Sequence, residues 1–220
     1  MARTTASATH SRPEPRTDHV RVCGSDADDG PRASVAVAAV RVLGADLLLS
    51  HILSRTPPAP DSLTVFRQTV ETFPPRADAA PTVVWSHWAM RRTLRRLDMP
   101  ATEDDAEPDA GWLDGVPWQS LTHQLAVLAP LAVPGEDCAV ARAAHARPVD
   151  VARGFVRAVR RRDWQQAAGA GRWLTLLDGV PEALGLEAGL DFVELMGGTD
   201  PRVALQVEAA RAMRWAGALV

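Results

Sequence analysis

The sequence predicts an all-α protein, an irregular bundle of about eight or nine helices whose C-terminal half is built as stacked antiparallel helical hairpins. Three observations carry that reading. Beyond residue 32 the chain is a succession of apolar-periodic segments bounded by proline or glycine. The β-branched residues are thinly spread and never alternate over the length of a strand. In the C-terminal half, segments 148–161 and 163–178, then 181–196 and 200–217, pair as successive hairpins offset by about 37 residues, the kind of period that helical arrays show.

Each element has a local cause. Residues 1–32 mix Arg, Ser, Thr, Pro and Asp with almost no large apolar side chains, so a disordered tail is expected there, leaving 33–220 as a single all-helical domain. Segment 33–55 is apolar nearly all round, as a central buried helix is, and ends before Pro57 and Pro58. Segment 61–73 opens on Asp61 or Ser62 and stops at Pro74 and Pro75. Segment 81–98 begins with Pro81 in its first turn, where proline is tolerated. An acidic loop, 99–115, separates it from helices expected at 117–131, 135–146 and the four hairpin segments. Asp163 and Thr199 or Asp200 serve as N-caps, and Gly179 and Gly197 as stops.

Composition bounds the chemistry. Hydrophobic residues are 46% and charged residues 23%, which is ordinary for a globular chain. There is no Lys, Asn or Tyr and one Ile (Ile52), against 38 Ala, and all 24 basic residues are Arg. The missing residues are those with A/T-rich codons, which points to a high-GC, actinomycete-like bacterial source. Their absence also excludes a Schiff-base or P-loop lysine, a tyrosine acid and asparagine-dependent sites. A net charge of −3 and a pI near 6.1 give no pull toward nucleic acid or an anionic membrane. Cys23 and Cys138 make no disulfide framework, the N-terminus has no apolar signal region, and Ala33–Leu53 is interrupted by Arg41 and Asp46. A cytoplasmic protein is expected, with neither nucleic acid nor membrane as partner.

The stretch Arg162-Asp163-Trp164-Gln165-Gln166-Ala167 resembles the inter-helix turn of a tetratricopeptide repeat, over six residues. The aromatic and glycine positions of that repeat are filled here by Val151, Gly154 and Gly171. The resemblance implies a repeat array; an irregular orthogonal bundle is the alternative. A second recurrence, Ser50-His51, Ser86-His87 and Thr122-His123, falls at intervals of 36 and invites a three-histidine metal site. Helical phase argues against it. His123 lies opposite the apolar stripe Trp118, Leu121, Leu125, Leu128, and nothing ligating stands at i±3 or i±4 from His87. No metal and no cofactor are expected.

Three places remain for function. Asp46, His51 and His87 are the candidate catalytic residues: a carboxylate and an imidazole on an apolar helix, and a second imidazole on the stripe Val83, His87, Met90, Leu94, Leu97, which reads as the core face of segment 81–98. The structural alternative is that Asp46 caps or pairs with an arginine and His87 is satisfied by a backbone carbonyl. On the other side of segment 81–98, Trp85 and Trp88 with Arg91, Arg92, Arg95 and Arg96 form a candidate surface for a protein partner or an anionic small molecule, with the acidic loop as an internal competitor for the arginines. The third place is a second arginine group, Arg153, Arg157, Arg160, Arg161 and Arg162, which follows the polar face of segment 148–161. Asp104-Asp105-Ala106-Glu107-Pro108-Asp109 departs from the magnesium motif of prenyl-diphosphate enzymes at Pro108, and Cys138 reads as a small core residue.

Two functions follow. The first is a non-catalytic helical interaction or accessory protein. The second is a small all-α enzyme or ligand-binding protein of specialised metabolism, with a pocket between helices 33–55 and 81–98. Oligomeric state is not encoded in any feature of the sequence.

Overall fold

Proline sets where many of the helices begin. In the computed structural model, which describes residues 29–97 and 106–217, Pro60, Pro81, Pro148 and Pro201 each open a helix, where their missing N–H costs no hydrogen bond. The described residues are all-α. α1 (Asp29–Leu43) runs through a 3-10 turn (Gly44–Leu48) into α2 (Leu49–Ser54), and the three make one bent rod. α3 (Pro60–Thr72), α4 (Pro81–Leu97), α5 (Trp118–Val127), α6 (Ala139–His145), α7 (Pro148–Arg160), α8 (Trp164–Leu174), α9 (Leu186–Gly197) and α10 (Pro201–Gly217) follow.

Boundaries move from the expected ones for local reasons. α1 starts at Asp29, inside the stretch expected to be a tail, of which residues 1–28 lie outside the described part. α6 starts only after Cys138, and α9 only at Leu186, because Gly185 sits at φ 57° and breaks the preceding 3-10 turn. α8 stops at Leu174, where Thr175 turns its hydroxyl onto the Arg172 carbonyl at 2.7 Å.

α8 is the axis of the larger core and packs against α5, α7, α9 and α10. Every residue from Ala167 to Leu174 is buried. Small side chains make this possible: a Cβ on Gly169 would stand 2.7 Å from the Ala126 carbonyl oxygen of α5. α7 and α8 are joined by a three-residue turn in which Asp163 accepts from the Gln166 N–H at 3.1 Å, the cap that the sequence predicts. A smaller core gathers Val40, Leu48, Phe66 and Val70, with Met90, Leu94 and Leu97 of α4 against it.

A buried ion pair joins distant parts of the chain. Arg172 is 0% exposed and its Nη1 donates to Asp46 Oδ1 at 2.7 Å and to Gln206 Oε1 at 2.9 Å; its Nε donates to the Ala132 carbonyl at 3.1 Å. Gln206 Nε2 closes the ring onto Asp46 Oδ2 at 2.7 Å. The network ties the first rod to α8 and α10, and loss of one partner would strand a buried charge. It also bears on the 21-residue stretch Ser34–Ser54, which holds an 18-residue window of mean hydropathy 1.7 and is long and apolar enough, by length and composition alone, to cross a membrane. Its Asp46 is held by Arg172 within the bundle.

Candidate functional site

α7 buries one face and presents another. Val151, Ala152, Gly154, Phe155 and Ala158 point into the core, and Gly154 lies so close to Thr122 of α5 that a Cβ would overlap it. The opposite face carries Val149, Arg153, Val156 and Arg160 at i, i+4, i+7 and i+11, all exposed. Arg147, just before the helix, fixes its start: it pairs with Asp150 at 2.7 Å and donates to the Val116 carbonyl at 2.8 Å. That contact brings Trp118, the first residue of α5, beside α7, where the Arg157 guanidinium lies 5.6 Å from its ring centre.

Facing α7 is segment 181–184, set between Gly179 and Gly185, both at positive φ (73° and 57°). Pro181, Ala183 and Leu184 line the far side of a groove of about 840 Å³ that is open to solvent. Its walls are apolar and its rim is Arg153, Arg157, Arg160 and Arg161. No Asp or Glu is among its lining residues; Asp150 on α7 pairs with Arg147 and with Arg153 (3.4 Å), and Glu182 lies exposed in the facing segment. No carboxylate among the described residues reaches Arg157, Arg160 or Arg161. The groove is thus an apolar slot with uncompensated positive charge.

The residues singled out from the sequence lie elsewhere. Trp85 and Trp88 are not a surface: they are 0% and 5% exposed, pack edge to face at 5.2 Å, and Trp85 Nε1 donates to the Asp109 carbonyl at 3.0 Å. The indoles win the larger core because they carry more apolar area than the competing stripe, of which Val83 is left 50% exposed. Arg92 and Arg96 are met by Glu136 at 3.4 and 2.7 Å. Glu107 of the acidic loop pairs with Arg142 at 3.2 Å and accepts from the Ala139 N–H at 2.9 Å. Arg91 is exposed and Arg95 half-buried on the same helix. Asp104 and Asp105 lie outside the described residues.

Asp46, His51 and His87 are not gathered round one cavity. Asp46 belongs to the Arg172 network, and His51 is half-buried with its Nδ1 enclosed and unpaired. His87 Nε2 sits 3.0 Å from the Val70 carbonyl. An oxygen acceptor there requires the N–H on Nε2, and the reason is local: Pro74 has no N–H to offer Val70 from the next turn, so His87 supplies the missing donor. His123 is exposed and lies 3.4 Å from Gln166 Oε1. Among the described residues no three His, Cys, Asp or Glu side chains converge as metal ligands do. Burial pushes the Cys138 thiol up to about 11, so it stays protonated and unreactive at neutral pH.

Sequence reasoning saw the α7 arginines but not the slot beneath them, because its far wall comes from 181–184. Arg172, Gln206 and Glu136 were missed as well. The run Ala167-Ala168-Gly169-Ala170-Gly171 was the available signal for Arg172, since a helix of small residues marks close packing on all sides. Comparison with protein-family models, curated proteins and solved structures gives no match.

Proposed function

We propose that this chain is a non-catalytic helical interaction protein that holds a partner protein by an acidic, amphipathic segment laid in the α7 groove. One observation carries the reading: an apolar slot lined by four arginines and no Asp or Glu, of which Arg153 alone is in an ion pair, with Asp150. Apolar walls with a cationic rim complement a segment whose buried stripe is flanked by Asp or Glu. Val149 to Arg161 spans about 18 Å of helix, room for three turns of a partner helix. An open slot suits such a segment better than a small molecule, which a pocket typically encloses on most sides. The reading is of a cytoplasmic protein, and the absence of Lys and Asn favours a high-GC bacterial source.

The test is a labelled 14-residue helical peptide with leucines at i, i+4 and i+7 between glutamates, and a scrambled control, followed by fluorescence anisotropy. The ordered peptide is expected to bind with an affinity that falls steeply with salt. Arg157→Glu with Arg160→Glu should weaken it by at least about tenfold, the equivalent of 1.4 kcal/mol. Equal binding of the scrambled peptide, or indifference to the double charge reversal, overturns the proposal.

A further inference from the structure

We propose that a second cavity, between the end of α3 and the first turns of α4, binds small apolar monocarboxylates. It does not rest on the α7 groove. The cavity measures about 500 Å³, within the range that small ligands occupy. It exists because Pro74 and Pro75 end α3 early and the chain must turn through Ala79 before α4 can begin at Pro81. The two helices part at this end. The stripe of α4 that looks like core therefore loses its cover at Val83 and His87 in the first turns, while Met90, Leu94 and Leu97 further on are packed.

The lining reads as a ligand site in miniature. Phe73, Val83 and Met90 with the two prolines give an apolar body. Arg41 of α1 stands at the rim with its guanidinium 4.7 Å from the Phe73 ring centre, and no carboxylate among the described residues pairs with it. Arg76, the other cation of the lining, is already paired with Asp78 at 3.2 Å. No Asp or Glu lines the cavity at all. One uncompensated charge over an apolar chamber selects a single anionic head on an apolar body. Ser86 of the lining adds a hydroxyl that can donate to the head, while His87 is held through Nε2 on the Val70 carbonyl.

Hexanoate and 3-phenylpropionate serve as probes, with the matching primary amides as controls, and the readout is the Met90 methyl resonance of the full chain, assigned with Met90→Leu. Both acids should shift it saturably, with dissociation constants at or below about 1 mM, and the amides should bind about fivefold more weakly or less well still. Arg41→Gln should remove that preference, and Val83→Glu, at an exposed wall position, should abolish binding of the acids by placing a like charge beside the head. Arg157→Glu with Arg160→Glu should leave the shift intact, which separates this site from the groove. Absence of a saturable shift, amides binding as well as acids, or an unaltered preference in Arg41→Gln overturns the proposal.

Discussion

Helices α4 and α7 are written in nearly the same terms and end in opposite states. Each is opened by proline, amphipathic, and dense in arginine. On α4, two of the arginines fold back onto one carboxylate, Glu136, whose side chain is 4% exposed, and the indoles of the preceding turns are core. On α7 the arginines stay in solvent around an open slot, and one of them rests on the indole of another helix. The difference lies outside either helix. An arginine cluster becomes internal structure when a distant segment brings it a desolvated carboxylate, and stays a surface when none arrives. Local sequence describes the cations but not the arrival.

The comparison can be broken first at the tryptophans. Trp88→Ala on α4 is expected to cost about 3–5 kcal/mol in chemical denaturation, as truncation of a buried aromatic does. A loss below 1 kcal/mol would return α4 to the surface class. Glu136→Gln comes next: with the charge gone from the carboxylate that gathers Arg92 and Arg96, a loss of about 2–3 kcal/mol is expected, read from the urea midpoint at unchanged m-value. His87→Ala should cost about 1–2 kcal/mol by orphaning the Val70 carbonyl, and His87→Gln, which can still donate, should recover part of it. The smallest effect belongs to α7. Arg160→Glu with Arg161→Glu should leave the melting free energy within about 0.5 kcal/mol of the parent chain. A larger loss would show that these arginines have internal partners and would place α7 beside α4.

Much of the fold was legible because its punctuation is local. Pro60, Pro81, Pro148 and Pro201 act on their own residue, and the Asp163 cap reaches only to Gln166, so helix positions could be read within a few residues. Which face of α4 is inside could not be read the same way. Trp85, Trp88, Ala89 and Thr93 make one helical stripe and Val83, His87, Met90 and Leu94 another, and both have the correct period. Periodicity alone does not say which neighbour each stripe meets. Asp46 illustrates the same limit: pairing with an arginine was one of two readings, yet the arginine is Arg172, far along the chain in a run of alanine and glycine. The candidate sites were legible in residue type and not in enclosure, since the α7 groove needs Pro181–Leu184 and the His87 cavity needs the early end of α3.

The ring of Asp46, Arg172 and Gln206 has a consequence in time. Asp46 and Gln206 are separated by 160 residues of chain. At ribosomal rates of about 5–20 residues per second, Gln206 is made roughly 8–32 seconds after Asp46. Arg172 comes earlier, 126 residues after Asp46, and until it is made the first rod is a nascent apolar helix carrying an unanswered carboxylate. Completion of the bundle therefore waits on its last helix, and the cell must shelter an oily, half-assembled chain through most of its synthesis.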